Sequence, residues 1–326
     1  APSRHGGGMT IRGMVLGKFL PPHAGHMHLV QVARALCDEL VVVVGTLARE
    51  PIPGALRAAW MRELCTDCTV VHLDEELPQD PSETPDFWNL WRAALGRVLP
   101  FAPDRVFASE AYGHRLAAEL GARFVPVDGA RSGVPTSGTA LRSDPWGAPS
   151  MLLPPVRAYY TERISIVGPE SCGKSTLTTE LARHVGTVAV PEYARSLLEA
   201  FDGDEAAADF PLIVAGQIAV EESLARRATR RLFCDTDPLV TVAWAEEFWR
   251  PLDGATVARA LARPYAHTLL LAPDLPWVAD PIRYRPDTRP RFFARCEDLL
   301  KAAGRRYTVI GGHGTARLEA ALRALA

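Results

Sequence analysis

The chain has 326 residues, which is enough for two domains that each bury a core of their own. Its 36 lysines and arginines against 38 acidic residues leave a net charge of -2, so neither a nucleic acid nor an anionic membrane is expected as a partner. A hydrophobic content of 48% excludes a disordered chain, and the longest apolar run, Leu40–Val44, is far too short to cross a bilayer. Because the N-terminus has no apolar signal core, we expect a cytoplasmic protein.

The first half of the chain alternates apolar strands with helical segments. A short strand over Ile11–Leu16 leads through a loop, residues 17–25, into a helix over His26–Leu40. Further strands are predicted at Val41–Val44, Val70–Leu73, Val106–Ala108 and Phe124–Val127. This alternation predicts a doubly wound α/β domain with a parallel sheet over residues 9–149, and residues 1–8 are expected to be a tail outside it.

The loop after the first strand contains His23-Ala-Gly25-His26, an H-x-G-H pattern at the start of a helix. Gly25 lets a substrate approach the helix N-terminus, where the helix dipole and both imidazoles can meet phosphate oxygens. The same spacing could supply two zinc ligands, but no third ligand is evident at a helpful spacing. We therefore predict a phosphate site rather than a zinc site.

A second candidate anion site follows more than a hundred residues later, at Thr136-Ser137-Gly138-Thr139-Ala-Leu-Arg142. Small hydroxyl residues begin a helix here, and Arg142 lies one turn inside it. The segment suits the β- and γ-phosphates of a nucleotide whose α-phosphorus faces the two histidines. Ser/Thr helix caps are common, so this prediction depends on the H-x-G-H pattern.

The second half of the chain predicts another α/β domain. Residues 150–162 are Pro-rich without a sustained hydrophobic period and are expected to be a linker. A second doubly wound parallel sheet is expected over residues 163–326, with strands at Ile164–Val167, Thr187–Val190, Leu232–Cys234, Thr268–Leu271 and Tyr307–Ile310. Helices are predicted at Lys174–Val185, Pro211–Arg230, Thr256–Arg263, Pro290–Ala303 and Thr315–Leu325.

The first strand of that second domain is followed by a P-loop pattern, G-x-x-x-x-G-K-[ST], that opens a helix. Its successive backbone N–H groups can bind an ATP polyphosphate, with Lys174 against the β- and γ-phosphates and Ser175 as a ligand of Mg²⁺. The residues predicted to bind ATP are Gly168, Glu170, Ser171, Cys172, Gly173, Lys174, Ser175 and Thr176.

Charged residues after two further strands are candidate partners of the P-loop. Asp235 follows a strand, where a carboxylate can bind the water shell of Mg²⁺. Asp237 can contact substrate or cap the next helix, which begins at Pro238. Glu192 and Arg195 can accept a hydroxyl proton and neutralise phosphate, although a surface ion pair fits their spacing as well.

A loop with four arginines over residues 280–291 follows Trp277. In a P-loop protein, Arg285 and Arg289 are expected to close over the transferred phosphate, the alternative being a solvated charge cluster. Trp277 and Asp280 suit a flat, cationic acceptor, the alternative being a packed tryptophan beside a turn.

Together these motifs resemble the bifunctional NadR family over nearly all of residues 9–326. Residues 17–26 with Ser137–Arg142 look like the HxGH nucleotidyltransferases that make NAD from nicotinamide mononucleotide (NMN). The segments GPESCGKS, PEYAR, DTD and DLPWVADP look like ribosylnicotinamide kinase. The resemblance implies a Rossmann-like domain that joins AMP from ATP to NMN, releasing pyrophosphate, followed by a P-loop kinase domain that makes NMN from nicotinamide riboside.

The resemblance also implies roles for single residues. In the first domain, His23 and His26 stabilise the α-phosphoryl transition state with help from Lys18. ATP is held there by Gly17, Phe19, Ser137, Gly138, Thr139 and Arg142. Trp88 and Trp91 stand where nicotinamide stacking is expected, with core packing as an equal alternative. In the second domain, Glu192 or Asp235 acts on the riboside 5′-hydroxyl, with Glu192 favoured as the base.

The expected small-molecule partners are ATP, NMN, nicotinamide riboside and NAD, with Mg²⁺ as cofactor. The sequence leaves open whether the chain forms a homo-oligomer. Some relatives carry an N-terminal helix-turn-helix that represses transcription; here the transferase is expected to begin at Met9 without it. Two alternatives remain open at this point. One is a nucleotide-sensing regulator, and the other is a fusion of a nucleotidyltransferase and a nucleoside kinase that uses a different acceptor.

Overall fold

A computed structural model describes residues 9–130, 132–202, 209–280 and 286–326. The expected tail, residues 1–8, and the predicted phosphate contact Arg285 lie outside the described residues. The chain divides into two compact units, one ending at Val156 and the other beginning at Arg157. Within the described residues, none of the helices has the length and the apolar composition that crossing a membrane requires.

The first unit contains a parallel five-stranded sheet in the order β3-β2-β1-β4-β5. Its strands are β1 (Arg12–Gly17), β2 (Glu39–Gly45), β3 (Thr69–Leu73), β4 (Arg105–Ala108) and β5 (Arg123–Pro126). Its helices are α1 (Ala24–Ala35), α2 (Gly54–Leu64), α3 (Phe87–Val98), α4 (Tyr112–Glu119) and α5 (Gly138–Ser143). Alternate residues of β2 face opposite sides: Val42 packs into one hydrophobic core and Val41 into the other. Both faces are buried, as the continuous apolar strands predict.

The second unit contains another parallel five-stranded sheet, in the order β10-β9-β6-β8-β7. Its strands are β6 (Glu162–Val167), β7 (Ala189–Val190), β8 (Arg231–Asp235), β9 (His267–Leu271) and β10 (Tyr307–Ile310). Helix α6 (Pro154–Tyr160) precedes the sheet, within the segment that the sequence predicts as a linker. The remaining helices are α7 (Lys174–Val185), α8 (Tyr193–Glu199), α9 (Phe210–Ala225), α10 (Pro238–Glu247), α11 (Gly254–Ala262), α12 (Arg289–Ala302) and α13 (Gly314–Ala324).

The predicted fold class, two doubly wound parallel sheets, is therefore confirmed. In each sheet the first strand of the unit is central, with later strands added on both sides of it. Ligands of such sheets bind beyond the carboxyl ends of the strands, where the chain switches sides. The loops after β1 and β6 lie at those two positions, and they contain the H-x-G-H and P-loop patterns.

Helix bounds differ from the sequence prediction where a cap is involved. Helix α1 begins at Ala24, two residues before the predicted start, because His23 is its N-cap and accepts backbone hydrogen bonds from His26 and Met27. It ends at Ala35, because β2 already begins at Glu39.

Candidate active sites

A cavity of about 770 Å³ lies at the carboxyl edge of the first sheet. All the residues predicted for the first site line it: Gly17, Lys18, Phe19, His23, His26, Trp88, Trp91, Ser137, Gly138, Thr139 and Arg142. The structure thus brings together segments that are more than a hundred residues apart in the sequence. Hydrogen bonds between these segments explain how they are held together.

The two histidines form a closely packed pair at the start of α1. Their rings are stacked with centroids 3.7 Å apart, and the Phe19 ring lies 4.9 Å from that of His26. The backbone N–H of His23 donates to Nδ1 of His26 at 3.3 Å. Nδ1 of His26 therefore acts as an acceptor, which leaves Nε2 as the ring nitrogen that can donate. A donor at a helix N-terminus is suited to a phosphate oxygen.

Helix α5 is joined directly to the loop after β1. Arg142 donates a hydrogen bond to the carbonyl oxygen of Leu20 and another, of 3.1 Å, to Oγ1 of Thr139. Ser137 caps the helix by accepting from the N–H of Ala140 at 3.2 Å. A Cβ on Gly138 would lie 2.4 Å from the carbonyl oxygen of Leu20, so only glycine allows this approach. The two predicted anion sites therefore form one surface.

Lys18 is held by two residues that sequence reasoning missed. Its ammonium group lies 3.2 Å from Oε1 of Glu50, and fully buried Arg57 also pairs with Glu50. Burial alone would raise the pKa of Glu50, but the Leu47 N–H and the Arg57 guanidinium lower it below its usual range. The contacts of Arg57 span up to 39 positions, so no local pattern marks this arginine.

The two tryptophans of α3 pack in the core, and their position also leaves the stacking interpretation open. Each lines the cavity, and each packs against the hydrophobic core on that side of the sheet. Trp91 donates its indole N–H to the carbonyl oxygen of Pro78 at 2.9 Å, and the Trp88 ring meets Phe87 edge-on. Core packing fixes their rings at the cavity wall, where a flat ligand can stack.

The second unit has a smaller cavity of about 170 Å³ around the start of α7. The residues predicted from the sequence that line it are Glu170, Ser171, Cys172, Gly173, Lys174, Ser175, Thr176, Glu192 and Arg195. The P-loop pattern and the residues at the start of α8 therefore meet at one site. Other residues predicted for this site lie outside the lining, among them Gly168, Asp235, Trp277, Asp280 and Arg289.

Two positions of the P-loop backbone have conformations and close contacts that favour glycine. Gly168 and Gly173 have positive φ angles of 145° and 81°, and a Cβ on Gly168 would lie 2.8 Å from the carbonyl oxygen of Leu271. The ammonium group of Lys174 donates to the carbonyl oxygens of Gly168 and Pro169 at 3.1 and 2.9 Å. Cys172 is buried with its thiol on Pro169, so only its backbone can reach a ligand.

Lys174 lies close to two carboxyl groups whose pKa values are shifted. Burial raises the pKa of Glu192, with Lys174 opposing and Asp235 adding to the shift. Burial also raises the pKa of Asp235, against the effects of Lys174 and of a hydrogen bond from Ser175. Burial alone would lower the pKa of Lys174, but Cys172 and the two carboxyl groups raise it. Perturbed acids around a lysine in a cavity are typical of catalytic sites.

Ser175 and Asp235 fit a hard cation. Asp235 is buried, and its Oδ1 has no hydrogen-bond partner within the described part of the chain. No cluster of three or more His, Cys, Asp or Glu suited to a metal occurs in the ranges 9–130, 132–202, 209–280 and 286–326. A P-loop Mg²⁺ does not need one, because phosphates and water supply most of its ligands.

The segment containing Trp277 and Asp280 is attached to the P-loop and to α8. The Ser171 hydroxyl bonds to the backbone N and O of Val278 at 3.2 and 3.1 Å. Asp280 accepts from Arg195 at 3.3 Å. Half-buried Trp277 directly precedes the first of these two attachments in the sequence.

Arg289 is also tied to this region through main-chain oxygens. It donates to the carbonyl oxygens of Ser171 and Leu275 at 3.3 and 2.9 Å. The predicted phosphate contact therefore lies behind the P-loop backbone in this structure.

The prediction that Asp237 contacts the substrate is not supported by its placement. Asp237 is fully buried, caps α10 by accepting from the N–H of Leu239 at 2.7 Å, and pairs with Arg305 at 2.7 Å. It does not line the cavity. Its position agrees with the helix-cap alternative that the sequence left open.

The inner wall of the second cavity was missed by sequence reasoning. It is formed by four apolar side chains and one amide: Phe210, Ile213, Trp244, Phe248 and Gln217. A signal was available, because the first eleven residues of α9 are apolar apart from Gln217, which is an uncharged polar residue buried among them.

Comparison with known proteins finds a family model that matches part of the chain, two curated relatives and similar solved structures. A family model described as an AAA domain matches residues 163–317, which is most of the second unit. Two proteins named trifunctional NAD biosynthesis/regulator protein NadR match the chain. The Escherichia coli protein is 28% identical over 297 residues, covering 83% of this chain and 71% of its own length. The Salmonella typhimurium protein is 27% identical over 296 residues, with the same shares.

Two solved structures share the fold along almost the whole chain. A crystal structure of NadR protein in complex with NR has a TM-score of 0.75 at 21% identity, and covers 97% of this chain and 95% of its own. A crystal structure of NadR protein in complex with NAD and AMP-PNP has a TM-score of 0.73 at 22% identity, with the same coverage.

Proposed function

We propose that this chain, which is homologous to the NadR proteins, is a bifunctional enzyme of NAD salvage. The second unit, with its domain over residues 163–326, phosphorylates nicotinamide riboside with ATP and produces NMN. The first unit, with its domain over residues 9–149, joins the AMP of a second ATP to NMN and produces NAD and pyrophosphate. The observation that carries the proposal is two separate cavities, one lined by the H-x-G-H residues and the other by the P-loop residues. We also assign both reactions to the cytoplasm.

In the first unit, an oxygen of the NMN phosphate attacks the α-phosphorus of ATP and pyrophosphate leaves. Negative charge grows on the α-phosphoryl oxygens, beside the imidazole donors of His23 and His26 and the N-terminus of α1. Ser137, Thr139 and Arg142 hold the leaving β- and γ-phosphates, and Lys18 adds positive charge. Trp88 and Trp91 stack on the nicotinamide ring. Every group acts by position and charge, so no covalent intermediate is required.

In the second unit, the 5′-hydroxyl of the riboside attacks the γ-phosphorus of ATP. Glu192 accepts the hydroxyl proton, and Lys174 stabilises the charge on the β- and γ-phosphates. Ser175 and Asp235 are the residues that would hold Mg²⁺, which neutralises phosphate charge when bound. Arg195, Trp277 and Asp280 lie on the acceptor side of the site. Arg289 supports the P-loop from behind.

The test is a coupled assay on the whole chain. With nicotinamide riboside, ATP and Mg²⁺, we expect NMN to accumulate and then NAD, with ADP and pyrophosphate as by-products. A chelator should stop both steps, and added Mg²⁺ should restore them. Binding without turnover would support the regulator, and phosphorylation of other nucleosides in preference to nicotinamide riboside would support the fusion with a different acceptor. Either result would overturn the proposal.

A further inference from the structure

Gln217 presents an unpaired hydrogen-bond donor to the cavity of the second unit. Its side chain is 1% exposed and lines the cavity from α9. Its Oε1 accepts from the backbone N–H of Tyr193 at 2.9 Å. Because that N–H must meet an oxygen, the orientation of the amide is fixed and Nε2 is the free end. Nε2 has no hydrogen-bond partner among the residues that the structure describes.

Unpaired polar atoms of this kind are rare in folded proteins and call for a specific partner. A second one lies in the same cavity, since Oγ1 of Thr236 is also buried without a partner in the described part of the chain. Thr236 also has a positive φ of 71°, which is unusual for a β-branched residue and is often found at functional sites. Both residues line the cavity together with the apolar side chains of Phe210, Ile213, Trp244 and Phe248.

The neighbours of Gln217 connect it to the proposed base. A Cβ on Gly216 would lie 2.2 Å from the Tyr193 ring, so the ring packs directly on the backbone of α9. Gly216 and Gln217 together therefore fix the first residue of α8, which directly follows Glu192. A ligand atom bonded to Nε2 of Gln217 would be positioned by the same residue that anchors the proposed base.

We infer that Gln217 is a specificity-determining residue that donates a hydrogen bond from Nε2 to an oxygen of the acceptor nucleoside. The inference rests on the proposed function, because it takes the riboside as the occupant of this cavity. Nε2 can only donate, so its partner is an acceptor oxygen, either a ribose hydroxyl or the carboxamide oxygen of the base. The aromatic side chains of Phe210, Trp244 and Phe248 supply apolar surface for the ring system.

The first test is Gln217→Leu in the full chain, which keeps the side-chain volume and removes the donor. The KM for nicotinamide riboside should rise about tenfold, as expected for one lost hydrogen bond in a buried site, while the KM for ATP stays the same. The unchanged KM for ATP, which binds the same unit, serves as the folding control, and the NMN adenylyltransferase rate of the first unit should be unchanged as well. If Gln217→Leu does not fold, Gln217→Glu replaces it, because its carboxylate can still accept from Tyr193.

Substrate analogues identify the partner oxygen and separate binding from a structural role. We compare wild type and Gln217→Leu on the 2′-deoxyriboside, the 3′-deoxyriboside and the riboside without the carboxamide. The difference in KM should vanish for the one analogue that lacks the partner oxygen. The inference is overturned if the difference in KM between wild type and Gln217→Leu persists for all three analogues, or if the KM for the riboside is unchanged in the variant. In either case, turnover by wild type still upholds the proposed function. No phosphorylation by wild type would overturn both.

Discussion

At the residue scale, the second site depends on three ionisable side chains that act on each other. Glu192 and Asp235 are carboxyl groups whose pKa values are raised by burial, and Lys174 partly offsets the shift in each. A proton acceptor must be ionised to act, and so must a carboxylate that binds a cation. Because these pKa values are raised, phosphorylation should be lost on acidification at a pH above the usual pKa of a carboxyl group.

We predict that kcat/KM for riboside phosphorylation falls as pH falls through these raised pKa values. The sign follows because protonation at lower pH removes the proposed base. Higher Mg²⁺ should lower the apparent pKa that Asp235 contributes to the pH–rate profile, because the cation competes with the proton for this carboxylate. The apparent pKa that Glu192 contributes should not change. Steady-state rates across pH at two Mg²⁺ concentrations measure this. If Glu192→Gln at saturating Mg²⁺ shows the same fall in kcat/KM at low pH as wild type, Glu192 is not the base.

Asp237 gives a residue-scale prediction about stability instead of catalysis. Asp237→Ala should lower the free energy of unfolding of the second unit by about 3–5 kcal/mol, because Arg305 would stay buried without its counter-charge. Urea unfolding of the variant and wild type measures the change. The KM for the riboside should be unchanged in native buffer, since Asp237 does not line the cavity.

The matched control is Asp253→Ala. Asp253 also caps a helix, accepting from the N–H of Thr256 at 2.9 Å, but it is exposed. Its loss should cost about 1 kcal/mol, the usual value of a cap. If Asp237→Ala lowers the free energy of unfolding no more than this control does and raises the KM for the riboside, Asp237 belongs to the substrate site.

At the scale of single elements, α5 shows how a short helix is placed by its contacts. It has six residues, too few to be stable alone, and it is joined to the loop after β1 through Arg142 and the approach of Gly138 to Leu20. The helix therefore places the phosphate-binding residues only while that contact exists.

We predict that Gly138→Ala lowers kcat/KM of adenylyl transfer by about 100-fold, because the added Cβ must push α5 away from the carbonyl oxygen of Leu20. Pyrophosphate release from ATP and NMN measures this, and the kinase rate should be unaffected. Gly96→Ala is the matched control: this exposed glycine of α3 has no atom within 4 Å of an added Cβ, so the change should stabilise the chain by about 0.5–1 kcal/mol without changing transfer. Full activity of Gly138→Ala would mean that α5 does not hold the phosphates.

Elements whose ends are set by local chemistry could be predicted from the sequence. Helix α7 has the predicted bounds, because Gly173 and Gly186 stand at its two ends with positive φ angles. Residues that act through distant contacts could not be predicted. Gln217 meets a backbone N–H 24 positions away and Arg57 reaches Lys18 across 39, and neither separation leaves a periodic signal. The motifs thus identify the phosphate-binding loops, while the walls around them emerge only from the fold.

At the scale of the whole molecule, each cavity is built from one unit alone. The first is lined by residues between Leu16 and Arg142, and the second by residues between Glu170 and Phe248. The product of the proposed kinase is the substrate of the proposed transferase. Because the described residues that line each cavity belong to a single unit, a defect in one should leave the chemistry of the other intact.

We therefore predict that His26→Ala abolishes adenylyl transfer and keeps phosphorylation, and that Lys174→Ala does the reverse. Each variant alone should make no NAD from nicotinamide riboside and ATP. An equimolar mixture of the two should make NAD after a lag, because NMN released by the first variant can diffuse to the second. The measurement is NAD formed with time, with wild type as the reference and the lag shortening as protein concentration rises. If the mixture stays inactive while each variant keeps its remaining activity, NMN must pass between the sites of a single chain without release, and the two units cannot be treated as independent enzymes.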